Sequence, residues 1–419
     1  MSDICVIGMG YVGLPAAIMF GKAGHTVHGV DINTALVNSI NKGEIGAEEP
    51  GLRDALAEAL ANDRLSVSET PSAADVFVIA VPTPINDDHS PDLSYVVNAC
   101  RSITESLAAG NLVVIESTIP PGVTVNTVAP VLEESGLKAG GDFSLAYCPE
   151  RVLPGNVMAE IVGNDRIIGG IDSESTNRAA ELYRSFVTGT LHESDATTAE
   201  MVKLAENTYR DVNIALANTI ANISESVGVS AWDVVEMANK HPRVDLLKPG
   251  PGVGGHCIPV DPWFLVAADE TSSGLIQSAR SVNDGQPSLI ARMALTVADG
   301  VASPRIAILG AAYKPGVSDA RDSPTAHLVR VLSEADAQVT VHDPQVKSFT
   351  PSLTENVVDA VTDADVIVVM VAHPEYDVLD PARLASHMRA RSVIDTSNIL
   401  DRDVWTGAGF DFHRYAEPN

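Results

Sequence analysis

The sequence predicts an α/β protein made of two Rossmann-like, doubly wound domains joined by a central helical dimerisation domain. Apolar β-branched runs alternate with helix-patterned segments over residues 1–190, the stretch 197–226 contains neither Pro nor Gly, and a second β/α alternation starts at RIAILG, 305–310. These features set the domains at 1–190, 191–295 and 296–419.

The chain opens as strand, glycine turn and helix: ICVIG, MGYVG, then LPAAIMFGKAG, with HTVHGVD as the next strand. Further runs at VFVIAV (76–81) and LVVIES (112–117) continue a parallel sheet covered on both faces. Residues 197–226 place apolar side chains at helical spacing, so one helix of about 45 Å is expected, long enough to link two domains and offer a face to a second copy. The second sheet follows from RIAILG, QVTVHD (338–343), VIVVMV (366–371) and SVID (392–395).

Composition narrows the function classes. No apolar run reaches the roughly 18 residues of a membrane span, and the start, MSDICVIGMG, lacks the basic flank of a secretory signal, so a cytoplasmic protein is expected. A net charge of −28 argues against nucleic-acid binding, because phosphates would be repelled. Only eight of the 27 basic residues are lysine, a balance that fits a surface adapted to high salt and equally an ordinary acidic soluble enzyme. Four scattered cysteines (Cys5, Cys100, Cys148, Cys257) suit neither a disulfide framework nor a paired metal site, and no metal is expected.

Gly8, Gly10 and Gly13 form GxGxxG between a strand and a helix, enclosing Tyr11 and Val12, where missing side chains let backbone approach a pyrophosphate. Asp31 ends the next strand, where a carboxylate accepts ribose hydroxyls and disfavours a 2′-phosphate, so NAD is the expected cofactor. Pro82 and Thr83 in VPTP and Thr118 in ESTIPPG stand at further strand ends of the same edge; ordinary turn chemistry is the competing reading for both threonines. Cys257 sits in GVGGHCIPVD among Gly252, Gly254 and Gly255, a polar glycine loop unlike the apolar surroundings of a core cysteine, and reads as a nucleophile. Lys203, Asn207 and Arg210 share a face of the long helix and by spacing alone read as a solvated stripe.

Taken together these motifs resemble the UDP-glucose and UDP-N-acetylmannosamine dehydrogenase family from GMGYVGLP to the VID run. The resemblance implies Cys257 as nucleophile with Asp261 as its polar partner, Glu150 in YCPERV as the carboxylate assisting thioester hydrolysis, and Thr118 as the residue orienting water. It implies Lys203 and Asn207 beside the reacting sugar carbon. Arg151, Arg210, Arg243, Gly254, Arg280, Tyr313, Lys314 and Arg321 become substrate contacts, with Arg280 and Asn283 at a uridine or partner-subunit contact. Homodimerisation through the long helix is implied too.

Two departures from the family pattern bear on the substrate. Val260 stands where the UDP-glucose enzymes commonly carry Lys, and ERVLPG and the His241-Pro242-Arg243 segment look like the N-acetylmannosamine branch. Ser397, in VIDTSN, replaces a frequent Arg and removes a contact usually supplied there. The implied reaction is a two-step oxidation of a UDP-sugar C6 alcohol to a carboxylate, with UDP-N-acetylmannosamine favoured over UDP-N-acetylglucosamine or UDP-glucose. A one-step hydroxyacid dehydrogenase would need neither the second nucleotide fold nor the thiol, and a non-catalytic nucleotide-sugar sensor would not need Cys257, Lys203 and Glu150 together.

Overall fold

The computed structural model describes residues 1–45, 49–153 and 155–418 and comprises two compact units. The first is Met1–Glu206 with Trp263–Ser272, the second Asn207–Pro262 with Ser273–Asn419. The segment read as a separate helical domain is thus shared between them.

The first unit holds an eight-stranded sheet in the order β3-β2-β1-β4-β5-β6-β7-β8. Its strands are β1 (Asp3–Ile7), β2 (Thr26–Val30), β3 (Leu65–Ser68), β4 (Val76–Ile79), β5 (Leu112–Ile115), β6 (Ser144–Tyr147), β7 (Arg166–Gly170) and β8 (Leu191–Asp195). The central strands VFVI and LVVI are buried along their whole length, as required of a parallel sheet with helices on both faces. All neighbouring pairs run parallel except β6 and β7. The sheet continues five residues past the expected boundary at 190, because LHESD is an edge strand whose half-exposed, polar pattern hides it from a hydrophobicity reading. His89, in the segment after β4, stacks on Trp263 with ring centroids 4.0 Å apart and planes 8° from parallel.

The expected long helix is present as Ala196–Val227, uninterrupted over 32 residues. The second unit carries a parallel five-stranded sheet in the order β10-β9-β11-β12-β13, from β9 (Arg305–Leu309), β10 (Gln338–His342), β11 (Val366–Val369), β12 (Ser392–Asp395) and β13 (Asp411–Arg414). The Gly274–Val297 helix buries Ile290, Ala291 and Ala294 with Ala221 and Ala231 against Ile306, Ile308 and Leu328. Each fully buried Ile or Leu contributes about 1.5–3 kcal/mol to holding these layers together. Among the described residues no helix is long and apolar enough to cross a membrane.

Candidate active site

In the first unit the strand order reverses between β1 and β4, the place where the connections leaving paired parallel strands part to opposite faces and ligands gather. Gly8 and Gly13 are dictated by packing: a Cβ on Gly8 would lie 2.4 Å from the Ala80 carbonyl oxygen, and one on Gly13 1.8 Å from that of Gly8. Above Gly10 there is open space, with nothing within 4 Å of a Cβ. The Gly13–Lys22 helix starts at Val12 with no side-chain cap; Leu14 N already donates to Gly10 O at 3.2 Å and Pro15 has no N–H, which leaves the Gly13 amide to face an anion. Asp31, just past β2, accepts from the amides of Met9 and Asn33, each at 2.9 Å, which aims its carboxylate along the same edge. These residues fit a dinucleotide.

Thr83 and Thr118 are half-buried in the segments after β4 and β5. Ser117 couples those segments, since its hydroxyl accepts from Val81 N at 2.9 Å and donates to Val81 O at 2.8 Å. Glu200 on the long helix takes the Gly122 amide at 2.5 Å and the Thr124 amide at 2.8 Å, fixing the turn that follows Thr118. Beyond β6, Glu150 accepts from Arg151 N and from Arg166 Nη2, both at 2.6 Å. Arg166 also lies 3.8 Å from Glu116, whose Oε1 takes the Tyr183 hydroxyl at 2.5 Å. Burial pushes the Glu116 carboxyl up to about 7; Arg166 opposes that shift and the Glu150 charge adds to it.

In the second unit Cys257 is exposed, whereas Cys5, Cys100 and Cys148 are buried and burial pushes their thiols up to about 11, 12 and 12. Its carbonyl accepts from Val260 N at 3.1 Å and Asp261 N at 2.8 Å, a turn leading into the Asp261–Ala268 helix. Asn207 Nδ2 donates to Asp261 Oδ2 at 2.5 Å. A Cβ on Gly254 would stand 2.6 Å from Asp322 O and 2.8 Å from Pro324 Cδ, so the glycine lets the Cys257 loop lie against the segment after β9. There a cavity of about 190 Å³ opens at the point where this sheet's strand order reverses, lined among others by Gly252, Tyr313, Lys314, Met370 and Ser397.

Residues 2–187 match the NAD-binding domain of the UDP-glucose/GDP-mannose dehydrogenase family, 197–285 its central domain and 307–402 its UDP-binding domain. The chain belongs to the UDP-glucose/GDP-mannose dehydrogenase family. This dehydrogenase is 44% identical to a UDP-N-acetyl-D-mannosamine dehydrogenase of Methanococcus maripaludis, over 98% of this chain and 96% of the relative. The solved UDP-D-ManNAc dehydrogenase of Pyrococcus horikoshii is similar at a TM-score of 0.93 and 41% identity, with 99% of each chain covered. A UDP-glucose dehydrogenase from Pyrobaculum islandicum gives 0.88 and 28%, over 100% of this chain and 98% of that one.

Several expected substrate contacts of the dehydrogenase have other partners. Arg280 is buried: Nη1 donates to Asp211 Oδ1 at 2.6 Å and Nη2 to Asp284, so its guanidinium is anchored within the scaffold. Asn283 continues that network to Asn218, whose Oδ1 takes the Gly250 amide at 2.9 Å and so braces the glycine loop. Arg151 bonds Glu206 at 2.5 Å and the Asp165 carbonyl. Arg321 forks onto Asp319, which His256 also contacts at 2.9 Å. Arg210 and Arg243 are exposed, Lys203 is buried, and Pro154 of ERVLPG lies outside the described residues.

Sequence reasoning missed Ser117, Glu200, Glu116, Arg166 and Tyr183. Glu116, Ser117 and Glu200 flank recognised motifs, but nothing in the residue spacing signals their partners.

Proposed function

We propose that the chain oxidises the C6 alcohol of UDP-N-acetyl-D-mannosamine to the carboxylate, with Cys257 as covalent nucleophile. The carrying observation is the second unit's arrangement: an exposed thiol on a glycine loop whose Gly252 lines the cavity of about 190 Å³, with the Asn207–Asp261 pair one turn further on. The names of the relatives, Val260 and the HPR segment support the N-acetylated sugar.

NAD, held by Gly8, Gly10, Tyr11, Val12, Gly13, Asp31, Pro82 and Thr83, supplies the hydride acceptor for both oxidations. Tyr313, Lys314 and Gly254 hold the UDP. Asp261, oriented by Asn207, takes the C6 hydroxyl proton through water. Lys203, one helical turn before Asn207, lends positive charge to the alkoxide. The Cys257 thiolate then bonds to the aldehyde carbon, which keeps that intermediate from escaping. After the second oxidation the resulting thioester is cleaved by water that Thr118 orients. The water oxygen bonds to the acyl carbon, its proton passes to Glu150, and the C–S pair returns to Sγ.

A homodimer forms through the long helix in this reading. Tyr209, Leu216, Ile223 and Val227 are exposed there at spacings of seven, seven and four, a stripe that a second helix would cover. Charged substitutions at Leu216 and Ile223 should give a monomer by light scattering.

NADH formation against UDP-N-acetylmannosamine, UDP-N-acetylglucosamine and UDP-glucose tests the substrate. Two NADH per UDP-N-acetylmannosamine is the expected outcome; faster turnover of UDP-glucose with none of the N-acetylmannosamine sugar would overturn it.

A further inference from the structure

Five side chains form one cluster: Glu116 after β5, Cys148 and Glu150 after β6, Arg166 on β7 and Tyr183 on the helix Ser173–Tyr183. Arg166 is 3% exposed, and its guanidinium carbon sits 4.9 Å over the Tyr183 ring and 5.8 Å over that of Phe186. Such a cation is costly to bury and must be repaid by what it contacts. Its contacts are unequal: 2.6 Å to Glu150, but 3.8 Å to Glu116 and to the Cys148 sulfur.

We propose that Arg166 is a positioning residue for thioester hydrolysis, holding Glu150 in one rotamer beside a fixed cation, while Glu116 and the two rings hold Arg166. This rests on the reading of Glu150 as the hydrolytic base. With Arg166 on Oε2 and the Arg151 amide on Oε1, both carboxylate oxygens are fixed, and each keeps a lone pair for the incoming proton. Glu116 does not compete for the guanidinium: its Oε1 is taken by Tyr183, and burial favours its neutral form. When Glu150 accepts the proton of the attacking water and the thiolate leaves, Arg166 keeps its charge and its place over the Tyr183 and Phe186 rings.

The test uses the full chain and the UDP-sugar it oxidises fastest. In Arg166→Met, a burst of NADH should form within about threefold of the wild-type rate. Steady-state turnover should fall at least tenfold, and intact-protein mass spectrometry should find the acyl group on Cys257. The acid limb of kcat should move up by about one pH unit, the smallest shift expected on losing an adjacent cation. Arg166→Lys should recover part of each effect. Should the single variant not fold, Arg166→Met with Glu116→Gln removes the stranded carboxylate and carries the same expectations. Equal slowing of both oxidations, no acyl-enzyme and an unmoved acid limb would make Arg166 a folding residue only. Glu150→Gln separates the two claims. If it accumulates the acyl-enzyme and the Arg166 variants do not, the positioning role alone falls; if it does not, the reading of Glu150 falls and takes this proposal with it.

Discussion

The two sheets begin alike and end differently. In each, the first strand of the β/α alternation runs into a glycine with positive φ, Gly8 or Gly310, and the neighbouring strand ends at an aspartate, Asp31 or Asp343. Asp31 is half-buried and takes two backbone amides. Asp343 is buried and takes four, from Ala311, Ala312, Gln345 and Val346, with His373 3.1 Å away. Where the first unit has open space above Gly10, the second has the buried Ala311 and Ala312. One carboxylate is left for a ligand and the other is absorbed by the fold. The same architecture thus offers a dinucleotide edge in one unit and a smaller cavity, displaced toward Tyr313 and Lys314, in the other. Strand order alone does not say which ligand a sheet takes.

The sharpest division of labour would be seen at Cys257. Cys257→Ser should lower net oxidation by roughly three orders of magnitude or more, while UDP still raises the melting temperature as in wild type. Full two-step turnover by the variant would leave the second unit a nucleotide holder only. The paired aspartates come next. Asp343→Asn should destabilise the protein by about 1.5–3 kcal/mol, as expected when the charged acceptor of buried hydrogen bonds is neutralised, without changing the NAD affinity of the folded fraction.

Its pH signature has a definite sign. Burial works to raise the Asp343 pKa, but the bonds from His373 and the backbone amides outweigh it and hold the carboxyl well below the usual range. Its stabilisation is therefore fully present above about pH 4, the ordinary carboxylate value, and is lost as pH falls further. Acid titration of the melting temperature should be flatter in the variant than in wild type.

Asp31→Asn should do the converse, weakening NAD binding by about 10–100-fold, the worth of a charged hydrogen bond, with the melting temperature within a degree or so of wild type. Equal effects of the two substitutions on NAD binding would break the comparison. The smallest expected effect is common to both units. With 55 acidic against 27 basic side chains, the melting temperature should rise by a few degrees from dilute buffer to molar KCl, as the screening length shrinks from roughly 30 Å to 3 Å.

What was legible in the sequence was local. GxGxxG, the restart at RIAILG and the Pro- and Gly-free helix each carry their signal within one segment, and the long helix lies within a residue of its expected ends. The edge strand LHESD was illegible because an edge strand need not be apolar. Arg166 opens RIIGG and reads as a surface arginine at a strand start; its partners Glu116 and Glu150 lie 50 and 16 residues away and meet it only through strand adjacency. Arg280 was half-legible: its motif pointed to a uridine or partner-subunit contact, while the Asp211 that it bonds is nothing like a motif. Cys257 stood out because glycine loops and core cysteines differ in composition, a contrast visible without coordinates.

The chain passes from the first unit to the second after Glu206, returns at Trp263 and leaves again after Ser272. No single cut therefore separates a complete cofactor half from a complete nucleotide half. A gene fragment stopping at residue 206 would lack 263–272, and its His89 would lose the indole it stacks on. Anyone seeking a minimal cofactor-binding fragment would have to supply that ten-residue piece as a graft or a peptide in trans. For the same reason, swapping sugar-recognition halves between relatives at one junction would produce chimaeras with mismatched inserts.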